Sequence, residues 1–216
     1  MNFILAALYA GVISVDRFAA FNLMLSRPIV VSFVLGLIFG NIVECFFIGI
    51  VFEAIGLIDV PVGTRIPKED SFGAFAACIL FAILPIHHSD EFVLGFLLTI
   101  LFMYPVTLTC NFGRSINKKL FLRQQSRGKV RPGRLLFLGI LVAFLRGVVV
   151  YGLGTFIIYM IYNHIHGYLE SRVNLFLFAL MIFTFLSGYL LRFLTVRSIF
   201  KYAVFAAGLA IGWVIL

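Results

Sequence analysis

The chain has 216 residues, of which 62% are apolar and only 12% charged, with 26 phenylalanines and a formal net charge of +8. That balance excludes an ordinary soluble globular domain and a disordered chain, and it points to an integral membrane protein. No extended polar stretch is long enough to fold by itself, so the expectation is a single membrane domain over 1–216 with no appended catalytic module.

The opening run, 1–15, lacks a basic leader and a small-residue cleavage site, and is read as a retained first helix. Asp16 and Arg17 close it, and FAAFNLML carries the chain to Arg27-Pro28. Two readings stay open here: one long helix with a charged pair inside it, or a short membrane-entering piece followed by an interfacial one. A second apolar run covers 29–39 and stops at Gly40-Asn41; a third covers 42–58, with Glu44 near its start and Glu53 inside it. Each is short against the roughly 20 residues a span requires, so tilted, broken or re-entrant helices are expected.

The stretch 49–77 organises the rest. Its second half gathers Asp59, Pro61, Gly63, Thr64, Arg65, Pro67, Lys68, Glu69 and Asp70, a density of Pro and Gly that forbids a regular helix. A polar insert over 59–71 between apolar runs is expected inside a bundle or at its cytoplasmic mouth, where protein or water satisfies its backbone. After it come an apolar run at 72–86, the link HHSDE at 87–91 and a further run at 92–112.

The stretch 114–134 carries eight cations and no acid, and is expected as a basic cytoplasmic loop. Spans are then expected at 135–162, 173–191 and 199–216, with turns at 163–172 and 192–201 between them. Counting outward from the basic loop, HHSDE and 163–172 fall outside and the basic turn at 192–201 inside, one consistent orientation that places the insert, with Arg65 and Lys68, on the cytoplasmic side or re-entering from it. The expected fold is therefore an all-α integral membrane protein, a multi-span helical bundle with broken or re-entrant segments. Residues 1–113 form its substrate-site half and 135–216 its C-terminal spans.

Among residues that could carry chemistry, Glu53 stands out, because an ionisable group within an apolar run costs about 2–4 kcal/mol and is kept for a partner or a polar pathway. A carboxylate also suits a sugar, since it accepts hydrogen bonds from neighbouring hydroxyls. Glu69 and Asp70 add carboxylates beside Lys68, and Thr64 and Arg65 add donors; the alternative is a solvated loop whose charges cancel. Asp16 either pairs with Arg17 to pin a helix end or faces a polar core. Arg146, deep in a long apolar run, either binds a carboxylate or free carbonyls or meets substrate directly.

Cys45, Cys78 and Cys110 are odd in number and widely spaced, and read as buried apolar residues rather than a disulfide or metal set. The four histidines fall in two outer links, where surface histidines are the stronger reading and a proton or phosphoryl relay the weaker one. A phosphate-binding Gly-rich loop, a G-x-S-x-G elbow and zinc spacing are all missing, so no metal and no catalytic residue is expected. The basic stretch fits topology and anionic lipid contact better than nucleic acid.

The run DRFAAFNLMLSRPIVVSFVLGLIFGN (16–41), followed by GIVFEAIGLIDVPVGTRIPKEDSFGA (49–74), resembles the N-terminal half of the IIC membrane subunit of mannose/fructose/sorbose-family sugar phosphotransferase systems. The shared features are an Asp-Arg with a later Arg-Pro, an L-G-x-x-x-G step, a Glu midway in the next apolar run, and an L-P-V-G-like turn leading to a proline-and-acid cluster. The likeness covers about the first 80 residues by motif and the remainder by hydropathy, with Arg146 in a similar setting.

The resemblance implies a multi-pass sugar permease of the bacterial inner (cytoplasmic) membrane. Such a subunit works in a hetero-oligomer with a IID membrane partner and with IIA and IIB proteins, which bring the phosphoryl group from phosphoenolpyruvate. The permease itself is not phosphorylated and needs no cofactor. Glu53 matches the family's intramembrane Glu, and Asp16, Gly63, Glu69 and Asp70 fall on motif positions, with Thr64 beside them. Two other readings remain: an ion-coupled secondary transporter, and a non-transporting scaffold or sensor that docks phosphotransferase proteins. Phosphoenolpyruvate-dependent uptake separates all three.

Overall fold

The computed structural model describes residues 1–19, 22–58, 68–84, 89–126 and 131–166, all within one unit, Met1–Arg172. The expected spans at 173–191 and 199–216 lie outside the described residues, as do His87, His88 and Asp59 to Pro67 of the insert. Six α-helices and no strand occur among the described residues: α1 (Asn2–Phe18), α2 (Pro28–Phe39), α3 (Ile42–Ile58), α4 (Asp70–Ile83), α5 (Ser89–Ser126) and α6 (Pro132–His166).

Helix α1 ends one residue after the charged pair, so the pair sits in its last turn rather than inside one long helix, and among the described residues no second helix occurs before Pro28. Arg17 there lies where the helix dipole favours a cation. Asp16 does not pair with Arg17 in the described contacts. Its carboxylate instead accepts the backbone N–H groups of Leu23 at 2.6 Å and Ser26 at 2.9 Å, so the chain folds back over the helix end. The reversal places Asn22 and Met24 at positive φ, 48° and 61°. For Met24 that conformation costs on the order of 1 kcal/mol, which the two flanking Asp16 bonds offset.

Pro28 opens α2 at a position where its missing N–H costs nothing, and Gly40 closes it at φ 86° with its N–H on the carbonyl of Gly36 at 2.8 Å. Only Asn41 then separates α2 from α3, and the two form a tight hairpin. Small residues allow the approach: a Cβ added to Gly36 would lie 2.9 Å from the Ile42 Cα, and one added to Gly49 would lie 2.7 Å from the Ser32 Cβ. Between helices with apolar surroundings, such close backbone packing replaces a hydrophobic driving force.

Helix α4 is the centre of the unit. It spans 14 residues, about 21 Å, and every residue from 71 to 80 is buried. A helix apolar all round must be enclosed, and α2, α3, α5 and α6 enclose it. Gly73, Ala74, Ala76 and Ala77 keep its girth small, with Phe52 of α3 and Met103 of α5 seated against Gly73.

Helices α5 and α6 are long and apolar enough to cross a bilayer, whereas α1 to α4 run only 12 to 17 residues. At 38 residues α5 is about 57 Å long, well beyond a hydrocarbon core of about 30 Å. The stretch 114–134, expected as a loop, is therefore corrected: α5 continues unbroken to Ser126 and α6 begins at Pro132. No Pro or Gly stands between Gly113 and Gly128, and Lys, Arg, Leu and Gln are good helix formers, so the helix persists where the chain turns polar. Residues 163–166, expected in a turn, likewise belong to α6.

Outward faces carry large apolar side chains, among them Phe3, Leu8, Phe46, Leu101, Phe112 and Phe156, a surface suited to an apolar surrounding. Inside, α1 and α6 touch backbone to backbone: a Cβ at Gly147 would strike the carbonyl oxygen of Ala10, and one at Gly11 the ring of Phe144. Gly147→Ala is accordingly expected to lower stability by about 1–3 kcal/mol through forced separation of the two helices. Thermal unfolding in detergent measures this, and an unchanged midpoint would show that α1 and α6 have room to spare.

Candidate functional site

Glu69 immediately precedes α4, and its side chain is fully buried. Its backbone is fixed first: the N–H donates to Thr107 Oγ1 at 3.0 Å and the carbonyl accepts the Gly73 N–H at 3.1 Å. The carboxylate then meets partners from three other helices. Oε1 accepts Arg146 Nη2 at 2.7 Å and the Cys110 thiol at 3.2 Å; Oε2 accepts the Tyr151 hydroxyl at 3.0 Å and lies 3.7 Å from Arg17 Nε.

Each partner is itself held. Arg146 donates to Thr109 Oγ1 through Nε at 3.1 Å and Nη2 at 2.9 Å, reaches Ser14 Oγ at 3.4 Å, and lays its guanidinium 4.7 Å from the centre of the Phe18 ring. Tyr151 is wedged between Phe72 and Phe75 of α4, with ring centres 5.4 and 5.3 Å away, which aims its hydroxyl at Glu69. Arg17 donates to the Asp70 carboxylate, to the Ser71 hydroxyl and, at 2.8 Å, to the Lys68 carbonyl. Ser71 in turn donates to the Ser26 carbonyl, tying the turn after α1 to the start of α4.

Arg17, Arg146, Glu69 and Asp70 thus make a set of two cations and two anions inside an apolar bundle. Burying any one alone would be prohibitive, and mutual neutralisation with hydrogen bonds to the remaining donors makes the set tolerable. Beside it lies a cavity of about 180 Å³ between α1, α5 and α6, lined by Ser14, Arg17, Phe18, Arg114, Asn117 and Arg146 among others.

Glu53 occupies a different place. Its carboxylate pairs with Arg27 at 2.9 Å and accepts the Ile29 N–H at 3.4 Å, beside the N-terminus of α2, with 19% of its side chain exposed. Asp70 connects the two regions, since its carboxylate rests against Gly56, one turn beyond Glu53 on α3. The structure therefore brings Asp16, Glu69, Asp70 and Arg146 into one polar layer and leaves Glu53 at its side. Gly63 and Thr64 lie outside the described residues.

Of the two roles open to Arg146, the structure shows binding to a carboxylate. Arg17, Tyr151, Thr109 and Cys110 belong to the layer and were not singled out from the sequence as site residues. Arg17 carries a signal, a cation at the end of an apolar run, but the other three are uncharged residues in apolar helices and carry none.

A helical protein with apolar outer faces, helices of spanning length and a neutralised ion cluster in its interior has the construction of a membrane-embedded transport component. The chain belongs to the family of PTS system sorbose-specific IIC components, whose family model matches residues 1–181, well past the 80 residues that the motifs covered. It is thus a membrane component of a sugar phosphotransferase system, associated with the other components of that system and with a sugar substrate. No curated protein matches the chain.

The layer ranks its own substitutions. Glu69→Ala leaves buried guanidiniums without their carboxylate and is expected to cost about 3–5 kcal/mol. Tyr151→Phe removes one hydrogen bond, about 1 kcal/mol, and Arg27→Met breaks a half-exposed pair worth at most about 1 kcal/mol. Unfolding midpoints of the three variants in detergent test the order; equal losses would show that Glu69 is not the anchor.

Proposed function

We propose that this chain is the sugar-translocating permease subunit of a phosphoenolpyruvate-dependent phosphotransferase system, moving a hexose-type sugar that partner proteins phosphorylate. Family membership over most of the chain carries the reading, and the buried polar layer supports it. An apolar bundle gains nothing in stability from enclosing two ion pairs where packed apolar residues would serve, so such a layer is kept for a polar task.

The carboxylates divide by availability. Both oxygens of Asp16 are spent on backbone N–H groups, and both oxygens of Glu69 on Arg146, Cys110, Tyr151 and Arg17. These two hold the frame. Glu53 is held more loosely, by a half-exposed Arg27 and by a long 3.4 Å bond from the Ile29 N–H, with 19% of its side chain exposed, and Asp70 sits one helical turn from it on the facing helix. Together they flank the insert that joins α3 to α4. We assign sugar hydroxyl contacts to Glu53 and Asp70, with Gly63 and Thr64 of the insert completing the site, and structural roles to Glu69, Asp16 and Arg146.

In this reading the protein is a multi-pass protein of the bacterial inner membrane, with the basic ends of α5 and α6 on the cytoplasmic side. The working assembly contains a IID membrane subunit and IIA and IIB phosphotransferase proteins. Transport proceeds by alternating access, in which one part of the bundle moves against the other around the sugar. Phosphorylation at the cytoplasmic face then prevents return. The layer itself takes Arg146 and Tyr151 from beyond residue 113, so the first half supplies the sugar contacts and the second half braces them.

Vesicles containing this chain, the IID partner and the soluble components, supplied with phosphoenolpyruvate, are expected to accumulate a labelled hexose or sorbose as its phosphate. Glu53→Gln is expected to abolish uptake while insertion and assembly persist. Undiminished uptake in that variant would remove Glu53 from the sugar contacts, and absence of any phosphorylated sugar with all partners assembled would overturn the permease reading.

A further inference from the structure

The cavity beside the ion layer differs in charge from the layer itself. Three guanidinium-bearing residues line it, Arg17, Arg114 and Arg146, and no carboxylate does. Arg17 and Arg146 are neutralised from the other side by Asp70 and Glu69. Arg114 is not: among the described residues it makes no ion pair or hydrogen bond, and Asn117, one turn further along α5, makes none either. The sequence holds no Asp or Glu between Glu91 and Glu170, so neither α5 beyond the layer nor α6 can supply an anion. Lys118, Lys119, Arg123, Arg131 and Arg134 on the same ends of the two helices add to the positive field.

The donors suit one kind of ligand. A guanidinium presents a planar fork that matches phosphate oxygens, and an Asn amide adds neutral donors and an acceptor for hydroxyls. Arg146 Nη1 has only its 3.4 Å contact with Ser14 and retains donor capacity toward the cavity. A cavity of about 180 Å³ holds more than a lone phosphate, roughly the share of six waters, so an attached polar group fits beside the anion.

We infer that this cavity binds the phosphate monoester of a sugar phosphate, the product that the proposed phosphotransferase reaction releases on this side of the layer. The inference rests on the permease reading for the sugar and on the cavity's own residues for the anion. Arg114 is the principal phosphate contact, Asn117 meets a neighbouring hydroxyl, and Arg17 and Arg146 shape the floor. The ion layer separates this site from Glu53 and Asp70, so uncharged sugar and charged product occupy different places.

Calorimetric titration of the full chain in nanodiscs of phosphatidylcholine tests this, with mannose 6-phosphate, inorganic phosphate and mannose as probes at matched ionic strength. Mannose 6-phosphate is expected to bind about tenfold or more tightly than either other probe, and Arg114→Gln to weaken it by about tenfold. Arg114 is exposed, so that variant folds, and Arg114→Lys is expected to recover part of the affinity.

Binding unchanged by Arg114→Gln, or reproduced by added chloride, would overturn the site. Inorganic phosphate binding as tightly as the ester would overturn the sugar-phosphate assignment. Adding phosphatidic acid to the nanodiscs separates a lipid source: if the headgroup displaces the ester in an Arg114-dependent way, the site belongs to lipid and the assignment falls. Phosphoenolpyruvate-dependent uptake by the same preparation keeps the two readings apart. Uptake without ester binding sinks only the anion site, and ester binding without uptake sinks only the permease.

Discussion

A single carboxylate in the interior, that of Glu69, is the constraint on which the rest of the arrangement depends. It has no solvent to share its charge, so helices α1, α5 and α6 must each deliver a donor to the N-terminus of α4. Their positions follow from it. Arg17 must end α1 at this level, which forces the chain to reverse at once and Asp16 to hold the reversal. Arg146 and Tyr151, five residues apart on α6, must both face α4, which places Gly147 against α1 and requires that it have no side chain.

Helix α4 makes this economical in space. Small residues along it let four helices approach, while Phe72 and Phe75 fill the layer just beyond Glu69 and orient Tyr151. The result is a short buried helix capped by ions at its N-terminal end, enclosed by α2 and α3 and by the much longer α5 and α6. The polar layer is consequently near the ends of α1 to α4 but well inside the lengths of α5 and α6. A polar level reached partway along two helices of spanning length is where, in the permease reading proposed above, an outward and an inward compartment meet for a hydrophilic solute.

Charge around that level is asymmetric. Where α3 meets the start of α4, Glu53 and Asp70 offer acceptors; where α5 and α6 run on, Arg114 offers donors with no counter-anion among the described residues. Acceptors suit the hydroxyls of a neutral sugar and donors suit a phosphorylated one. A phosphotransferase permease handles both forms, and the distribution of charge matches that order.

Much of this was legible in the chain itself. Apolar content and run lengths determined an all-helical membrane protein with short early helices, because periods and lengths of apolar sequence report directly on which medium a segment meets. Gly40-Asn41 and Pro28 marked helix ends, since Pro and Gly act on the local backbone whatever surrounds them, whereas α4 starts at Asp70, two residues before the apolar run expected at 72. Arg146 was visible as a charge in apolar company, Asp16 as one at the end of an apolar run, and Glu69 and Asp70 as carboxylates of the polar insert. What they bind was not: Arg146 lies 77 residues from Glu69, and nothing local says which carboxylate an interior arginine will find. Tyr151, Thr109 and Cys110 were hidden for the same reason, being ordinary members of apolar helices until packing turns them toward a charge. The basic stretch misled because cations report on solvent contact, and a helix can keep its own hydrogen bonds on entering water. Sequence determined which groups had to be satisfied; only the tertiary structure decided by whom, because pairing depends on distances that the packing of the other helices around α4 creates.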